Sequence, residues 1–265
     1  MAASTFAKRT ILLTRPLGQS EKLKEQINAA GGRVLQLPSL EIKAIADSAA
    51  ARQLLTNLTG FDIIVFVSRN AVKYACELMP DIVGRAHGKT LLAVGSGTNE
   101  ELLNAGFAEA IFTSCNSGSE ALLEMTELQQ ANVLNRKILI VRGQGGRELL
   151  GDNLLERGAK VQYAELYRRT KPQIDADIVS KIWQQEKPDA VVITSAEGLN
   201  NLLALTATKE RPIFLNTNLV VISQRLRSIA DSLGFVAAIK VAMGYSDDDF
   251  MLALQELFGA NEHER

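Results

Sequence analysis

The stretch RTILLTRP at residues 9–16 returns 127 residues later as RKILIVRG at 136–143, setting Arg15 opposite Arg142. At the same offset FDIIVFVSRNAV (61–72) meets PDAVVITSAEGL (188–199), which pairs Asp62 with Asp189 and Ser68 with Ser195, while Gly31 and Val34 meet Gly158 and Val161. One residue is then inserted, and LLAVGSGTNEELLNAGF (91–107) aligns with LVVISQRLRSIADSLGF (219–235). Two apolar strands resemble each other by chance, but a series of strand–turn–helix units in one order at a nearly constant spacing does not arise that way. The chain reads as a duplicated unit, so the fold of one half dictates that of the other.

Each half alternates strands with helices. In the first half the apolar runs predict strands near 10–14, 33–36, 62–67, 90–94 and 110–112. Helices are predicted near 18–30, 47–58, 69–79, 97–105 and 117–129, with apolar residues spaced for one buried face, as in Leu102, Leu103 and Ala105. Strands joined through helices make parallel sheets covered on both faces. Open sheets of that kind bind ligands beyond the carboxyl ends of their strands. After the second strand of each half comes an extended polar piece, LPSLEIKAI at 37–45 and LYRRTKPQI at 166–174. If these connectors pair as two strands, one lobe is residues 46–165 and the other joins 1–36 to 175–265. If they do not, the halves are consecutive domains, and the pattern alone leaves both arrangements open.

A formal charge of −1 supplies no long-range attraction to nucleic acid or to an anionic membrane. No apolar run approaches the roughly 20 residues of a membrane span, and Met1–Thr10 lacks the apolar core of a signal peptide. A cytoplasmic protein with no nucleic-acid or membrane partner is expected. Cys76, Cys115, His87 and His263 are too few and too scattered for a disulfide scaffold or a metal cluster.

Chemistry is expected in the turns that follow the strands. RKILIVRGQGG (136–146) runs from a buried strand into a glycine turn before the helical pattern Arg147–Arg157, so its backbone N–H groups and the helix dipole favour an anion. It lacks the last glycine of a dinucleotide fingerprint and the Gly-Lys-Ser/Thr of a P-loop. The other strand ends carry Thr14-Arg15-Pro16, Ser68-Arg69-Asn70, Gly95-Ser96-Gly97-Thr98, Ser114–Gly118, Thr194-Ser195-Ala196 and Ser223-Gln224. Taken singly, each hydroxyl is accounted for as a helix N-cap contributing about 1 kcal/mol. Together, two facing edges of such turns with Arg15, Arg142 and Gly143 suit a ligand bearing several carboxylates, held by many weak contacts of about 0.3–1 kcal/mol each. A Ser-His-Asp set is not expected, because neither histidine falls in a strand-end turn, and Asp247-Asp248-Asp249 reads as the cap of the last helix. Tyr167 is the remaining proton donor near the lobe junction, or else a hinge residue packed on a sheet edge. Arg168, Arg169 and Lys171 read as a solvated linker face.

ILLTRPLGQSEKLKEQINAAGGRVLQLPSLEI, FDIIVFVSRNAV, LLAVGSGTNEELLNAGF, ILIVRGQGGRELLGDNLLERGAKVQYAELYRR, PDAVVITSAEGL and NLVVISQRL, in this order and spacing, resemble the uroporphyrinogen-III synthase family over nearly the whole chain. The resemblance implies an α/β protein of two flavodoxin-like parallel-sheet lobes joined by a two-stranded connector, the first lobe built from both chain ends. It implies a monomer acting on hydroxymethylbilane, a linear tetrapyrrole polycarboxylate, without metal or organic cofactor and with possible handover from hydroxymethylbilane synthase. Water leaves the hydroxymethyl end, the far pyrrole attacks through its substituted carbon, and ring D ends inverted. Tyr167 matches the family tyrosine placed at the departing hydroxyl, Thr98 the threonine of the VGxxT turn beside Ser96, and Ser68 and Ser195 the strand-end serines. Where relatives often carry Gly-Pro-Thr-Thr, this chain has Ser223-Gln224-Arg225-Leu226, which leaves Ser223 or its backbone as the substitute contact. The competing reading is a two-lobed binding protein for a small polyanion; a regulatory module on the same fold would show no polycarboxylate affinity.

Overall fold

The structure, a computed structural model, describes residues 6–113 and 118–260. Its strands are β1 (Thr10–Leu13), β2 (Arg33–Gln36), β3 (Glu41–Ala44), β4 (Ile63–Phe66), β5 (Thr90–Ala93), β6 (Ile111–Phe112), β7 (Lys137–Gly143), β8 (Lys160–Thr170), β9 (Ala190–Ile193), β10 (Asn218–Val221) and β11 (Ile239–Val241). Two compact units result, one of Met1–Glu41 with Thr170–Arg265 and one of Ile42–Arg169.

The first unit holds a five-stranded sheet in the order β11-β10-β9-β1-β2, with every pair parallel. The second holds β3-β8-β7-β4-β5-β6, parallel from β8 to β6. Leaving β3 aside, both are the doubly wound order 2-1-3-4-5, and in each the first two strands come from one repeat and the last three from the other. The chain passes between units inside β3 and at the end of β8. These two strands are neighbours, with the Ile45 N–H donating to the Leu166 carbonyl at 3.0 Å.

Period-two alternation explains why these sheets need helices on both sides. In the first unit Leu12, Val191, Ile193, Leu219 and Val221 pack with Trp183 and Phe214, whereas Ile11, Leu13, Ala190, Val192 and Val220 pack with Phe6, Ile27, Phe250 and Leu254. In the second unit Ile64, Phe66, Leu139 and Val141 face Leu55, Val72 and Leu102; Ile63, Val65, Ile138 and Ile140 face Leu122, Leu150 and Leu154. The helical expectations hold with trimmed ends: 47–58 is Ala49–Thr56, 97–105 is Ser96–Asn104, and 117–129 breaks into Gly118–Glu124 and a 3-10 turn Thr126–Leu128. The helix after the glycine turn begins later than Arg147, at Leu149, and runs to Glu156.

The repeated aspartates show how the exchange of strands is fixed. Asp62, in the first repeat, accepts the backbone N–H of Lys137 at 2.8 Å and pairs with Arg136 at 3.2 Å; Asp189, in the second, accepts the N–H of Thr10 at 2.8 Å and pairs with Arg9 at 3.3 Å. Each carboxylate thus anchors the first strand of the other repeat. The Lys137 N–H, then Arg136, hold the Asp62 carboxyl below its ordinary value against the opposing pull of desolvation. A depressed folded pKa stabilises the native state above the unfolded value of about 3.9, and that contribution is lost as pH falls through the lower folded value. Asp62→Asn is therefore expected to lower Tm relative to the native chain at pH 7, with the gap closing below about pH 4. Thermal melts across that range check it, and a gap independent of pH would assign the loss to something other than ionisation.

Candidate functional site

In the 2-1-3-4-5 order the crevice lies between the strands in places 1 and 3, where neighbouring crossovers go to opposite faces. In the second unit these strands are β7 and β4. Beyond β4 sits Ser68, in extended conformation, whose Oγ caps the helix Arg69–Leu78 by accepting the Ala71 N–H at 3.1 Å. The same Oγ lies 2.8 Å from the Tyr167 hydroxyl, and either atom has a hydrogen to donate.

Tyr167 belongs to β8, two strands away from β4, and reaches Ser68 for two local reasons. Strands β7 and β8 pair evenly from Lys137↔Lys160 to Arg142↔Glu165, but the next pair is Gly143↔Tyr167, which leaves Leu166 as an extra residue. This bulge turns the alternation over: Tyr163 packs with the Ile138 and Ile140 face, whereas Ala164, Leu166 and Tyr167 all pack with the opposite one. The ring then crosses β7 over Gly143, where an added Cβ would lie 2.5 Å from Tyr167 Cε2 and 2.7 Å from Cζ. Only glycine leaves that path open. Tyr74 stacks on the ring at 5.6 Å between centroids, and Tyr167 is 2% exposed.

A cavity of about 220 Å³ opens at this edge, lined by Arg142, Gly143, Gln144, Tyr163, Tyr167 and Arg169 among others. It is smaller than the roughly 300–1,000 Å³ of a pocket enclosing a drug-sized ligand. Arg142 in its wall is 7% exposed. Its Nη2 donates to Glu148 at 2.8 Å and to Glu165 at 3.0 Å, and the guanidinium carbon lies 3.9 Å from the Tyr163 ring centroid. Burial alone would pull its pKa down; the hydrogen bonds to Glu148 and Glu165 outweigh that and raise it. The Glu148 carboxyl is correspondingly lowered, and desolvation followed by the bond to Glu148 raises the Tyr163 phenol.

The other expected site residues fall into two groups. Ser96 and Thr98 stand at the end of β5 in the same sheet; Ser96 is exposed, and Thr98 is buried with its hydroxyl donating to the Val94 carbonyl at 2.8 Å. Arg15, Ser195 and Ser223 belong to the first unit. Ser195 and Ser223 are N-caps, accepting from Gly198 at 2.9 Å and Leu226 at 3.2 Å. Arg15 binds Asp247 at 2.7 Å and the Tyr245 carbonyl at 3.2 Å, and it lies 4.6 Å over the Phe250 ring. Both arginines expected to meet a ligand's carboxylates thus hold carboxylates of the protein. The acidic run also divides its work: Ser246 and Asp249 form a reciprocal cap, while Asp247 pairs with Arg15 and Asp248 with Lys22. Arg169, expected on a solvated linker face, is exposed but lines the cavity. Its position two residues beyond Tyr167 on one strand is the sequence signal that places both on one side. The glycine turn offers fewer free amides than expected, since the Gln144 N–H donates to the Tyr167 carbonyl at 2.7 Å. Ser114 to Ser117 and His263 lie outside the described residues.

Two doubly wound α/β units that exchange repeats, one with a tyrosine and a serine converging at its switch point, define a duplicated two-unit α/β class of protein. Within that class the chain belongs to the uroporphyrinogen-III synthase (HemD) family, whose model matches residues 21–247. Uroporphyrinogen-III synthases of Salmonella typhimurium and Escherichia coli are 33% and 32% identical to it, each over 93% of this chain and the whole of the relative. Among solved structures, the Helicobacter pylori enzyme aligns with a TM-score of 0.64 at 17% identity, over 94% of this chain and 99% of that one. A mutant Thermus thermophilus enzyme aligns at 0.57 with the same identity and coverage, which supports the fold. No helix among the described residues is long and apolar enough to cross a membrane.

Proposed function

We propose that this chain cyclises hydroxymethylbilane to uroporphyrinogen III, with Tyr167 as hydrogen-bond donor to the departing hydroxyl. Family membership supports the reaction, and the hydroxyl pair at the β4/β7 switch point supports the assignment of the donor. The Ala71 N–H donates to Ser68 Oγ, and when Ser68 in turn donates to Tyr167 Oη the phenol hydrogen is left for the substrate. Such a chain, starting at the N-terminus of a helix, polarises each successive donor. As the C–O bond breaks, the phenol hydrogen bond stabilises the developing hydroxide, and the pyrrole N–H gives up the proton with which it leaves as water. The azafulvene that remains is attacked by the substituted carbon of the far pyrrole, and the spiro intermediate rearranges with ring D inverted.

The protein's further task is orientation, because a freed azafulvene closes at the nearer, unsubstituted carbon. Ser96 and the amides of residues 145–148 face the carboxylate arms. In the first unit Ser195, Ser223 and Arg15 occupy the corresponding strand ends. The chain works as a monomer in the cytoplasm and receives its short-lived substrate from hydroxymethylbilane synthase. The test is to incubate purified protein with enzymatically generated hydroxymethylbilane, oxidise the products and resolve the porphyrin isomers. Isomer III in excess of spontaneous isomer I is the expected result. Isomer I alone would sink the reading and leave a polyanion-binding protein in its place.

A further inference from the structure

We propose that Arg142 is a positioning residue, the register lock of the bulge that aims Tyr167 at Ser68; as a statement about turnover this rests on the reading of Tyr167 above. An eleven-residue strand with one surplus residue has several places to absorb it, and the choice matters. Moving the bulge beyond Tyr167, so that Gly143 pairs with Leu166, returns Tyr167 to the Tyr163 face and away from Ser68.

Arg142↔Glu165 is the last even pair before the irregularity. There the guanidinium forks onto one oxygen of Glu165, from Nε at 3.1 Å and Nη2 at 3.0 Å, so the two strands are tied side chain to side chain at the register step itself. Glu148 at 2.8 Å and the Tyr163 ring at 3.9 Å hold it further. Tyr163 lies in turn against Gly151, where a Cβ would occupy the space of its hydroxyl. On the far side of the bulge the Gln144 N–H holds the Tyr167 carbonyl at 2.7 Å. A ligand carboxylate could take Nε or Nη2 of Arg142 only by displacing Glu148 or Glu165, while Nη1 keeps a long contact of 3.5 Å to the Arg147 carbonyl. Arg15, at the same place in the first repeat, also joins a carboxylate to an aromatic face, Asp247 and Phe250. The anchoring use of this arginine therefore occurs in both copies of the duplicated unit.

The test compares the native chain with Glu165→Gln, Arg142→Lys and the double variant, using steady-state kinetics on hydroxymethylbilane and amide hydrogen exchange at Gln144. A lock predicts that each single variant loses about tenfold or more in kcat with little change in KM, since a misplacement of about 1 Å costs up to about a hundredfold. The double variant is expected to be no worse than the worse single one, because both changes open the same tie. Exchange at Gln144 should speed up in all three. Arg142→Lys keeps the charge but loses the fork, so it separates geometry from charge. Native-like protection of Gln144 overturns the lock whatever kcat does, and so does a lower KM in Glu165→Gln, the mark of a guanidinium freed for substrate. If the native chain makes only isomer I, the functional reading fails while the exchange measurement still decides the lock.

Discussion

Gly143→Ala is expected to lower kcat by about a hundredfold in a protein that still folds. The new methyl would sit 2.5 Å from Tyr167 Cε2 and 2.7 Å from Cζ, closer than two carbons approach, so the ring must shift. Tyr74 stacks on it, and it is 2% exposed. Either the phenol leaves Ser68 or the end of β7 moves, and both destroy the arrangement. Overpacking of this kind costs about 1–3 kcal/mol, which denaturant titration measures directly. The control is Gly84→Ala, where an added Cβ meets nothing within 4 Å; its kcat should be native. Native turnover in Gly143→Ala would show that the phenol need not lie across β7.

That dependence on one missing methyl bears on what the chain discloses before it is folded. The sheets were legible because their information is local and doubled. IIVF and AVVI are fully buried strands, and each sits beside an aspartate whose partner position recurs 127 residues away. The serine caps were legible for the same reason, since Ser68 and Ser195 each serve the N–H three residues on. What was not legible depends on pairs distant in sequence. Arg15 reads as a contact for a ligand's carboxylates, and nothing local shows that Asp247, 232 positions away, is placed beside it. Arg142 reads as an anion ligand until β8 brings Glu165 across from it. The bulge at Leu166 has no composition signature, and without it strand alternation sets Tyr167 on the same side as Tyr163. Side-chain direction at the site follows from a register that no local pattern encodes.

Tyr167→Phe isolates the hydroxyl from the ring and is the sharper probe of the reaction. Phenylalanine keeps the contact with Tyr74 and the fit over Gly143, and Ser68 Oγ keeps the Ala71 N–H, so only the 2.8 Å hydroxyl contact is lost. A net intramolecular hydrogen bond is worth about 0.5–1.5 kcal/mol, so stability should change by no more than that. Turnover should fall by about 10²- to 10⁴-fold, the usual contribution of a placed proton donor. Ser68→Ala removes both the cap, at a cost of about 1 kcal/mol, and the partner that orients the phenol. Because Ser68 acts on the reaction through Tyr167, its removal from Tyr167→Phe should lower stability again but leave kcat where it was. A double-mutant cycle on kcat, set beside the same cycle on unfolding free energy, therefore separates the two roles of one serine. An unchanged kcat in Tyr167→Phe would take the donor role from Tyr167, and the departing hydroxyl would have to find its hydrogen bond in another group of the cavity wall.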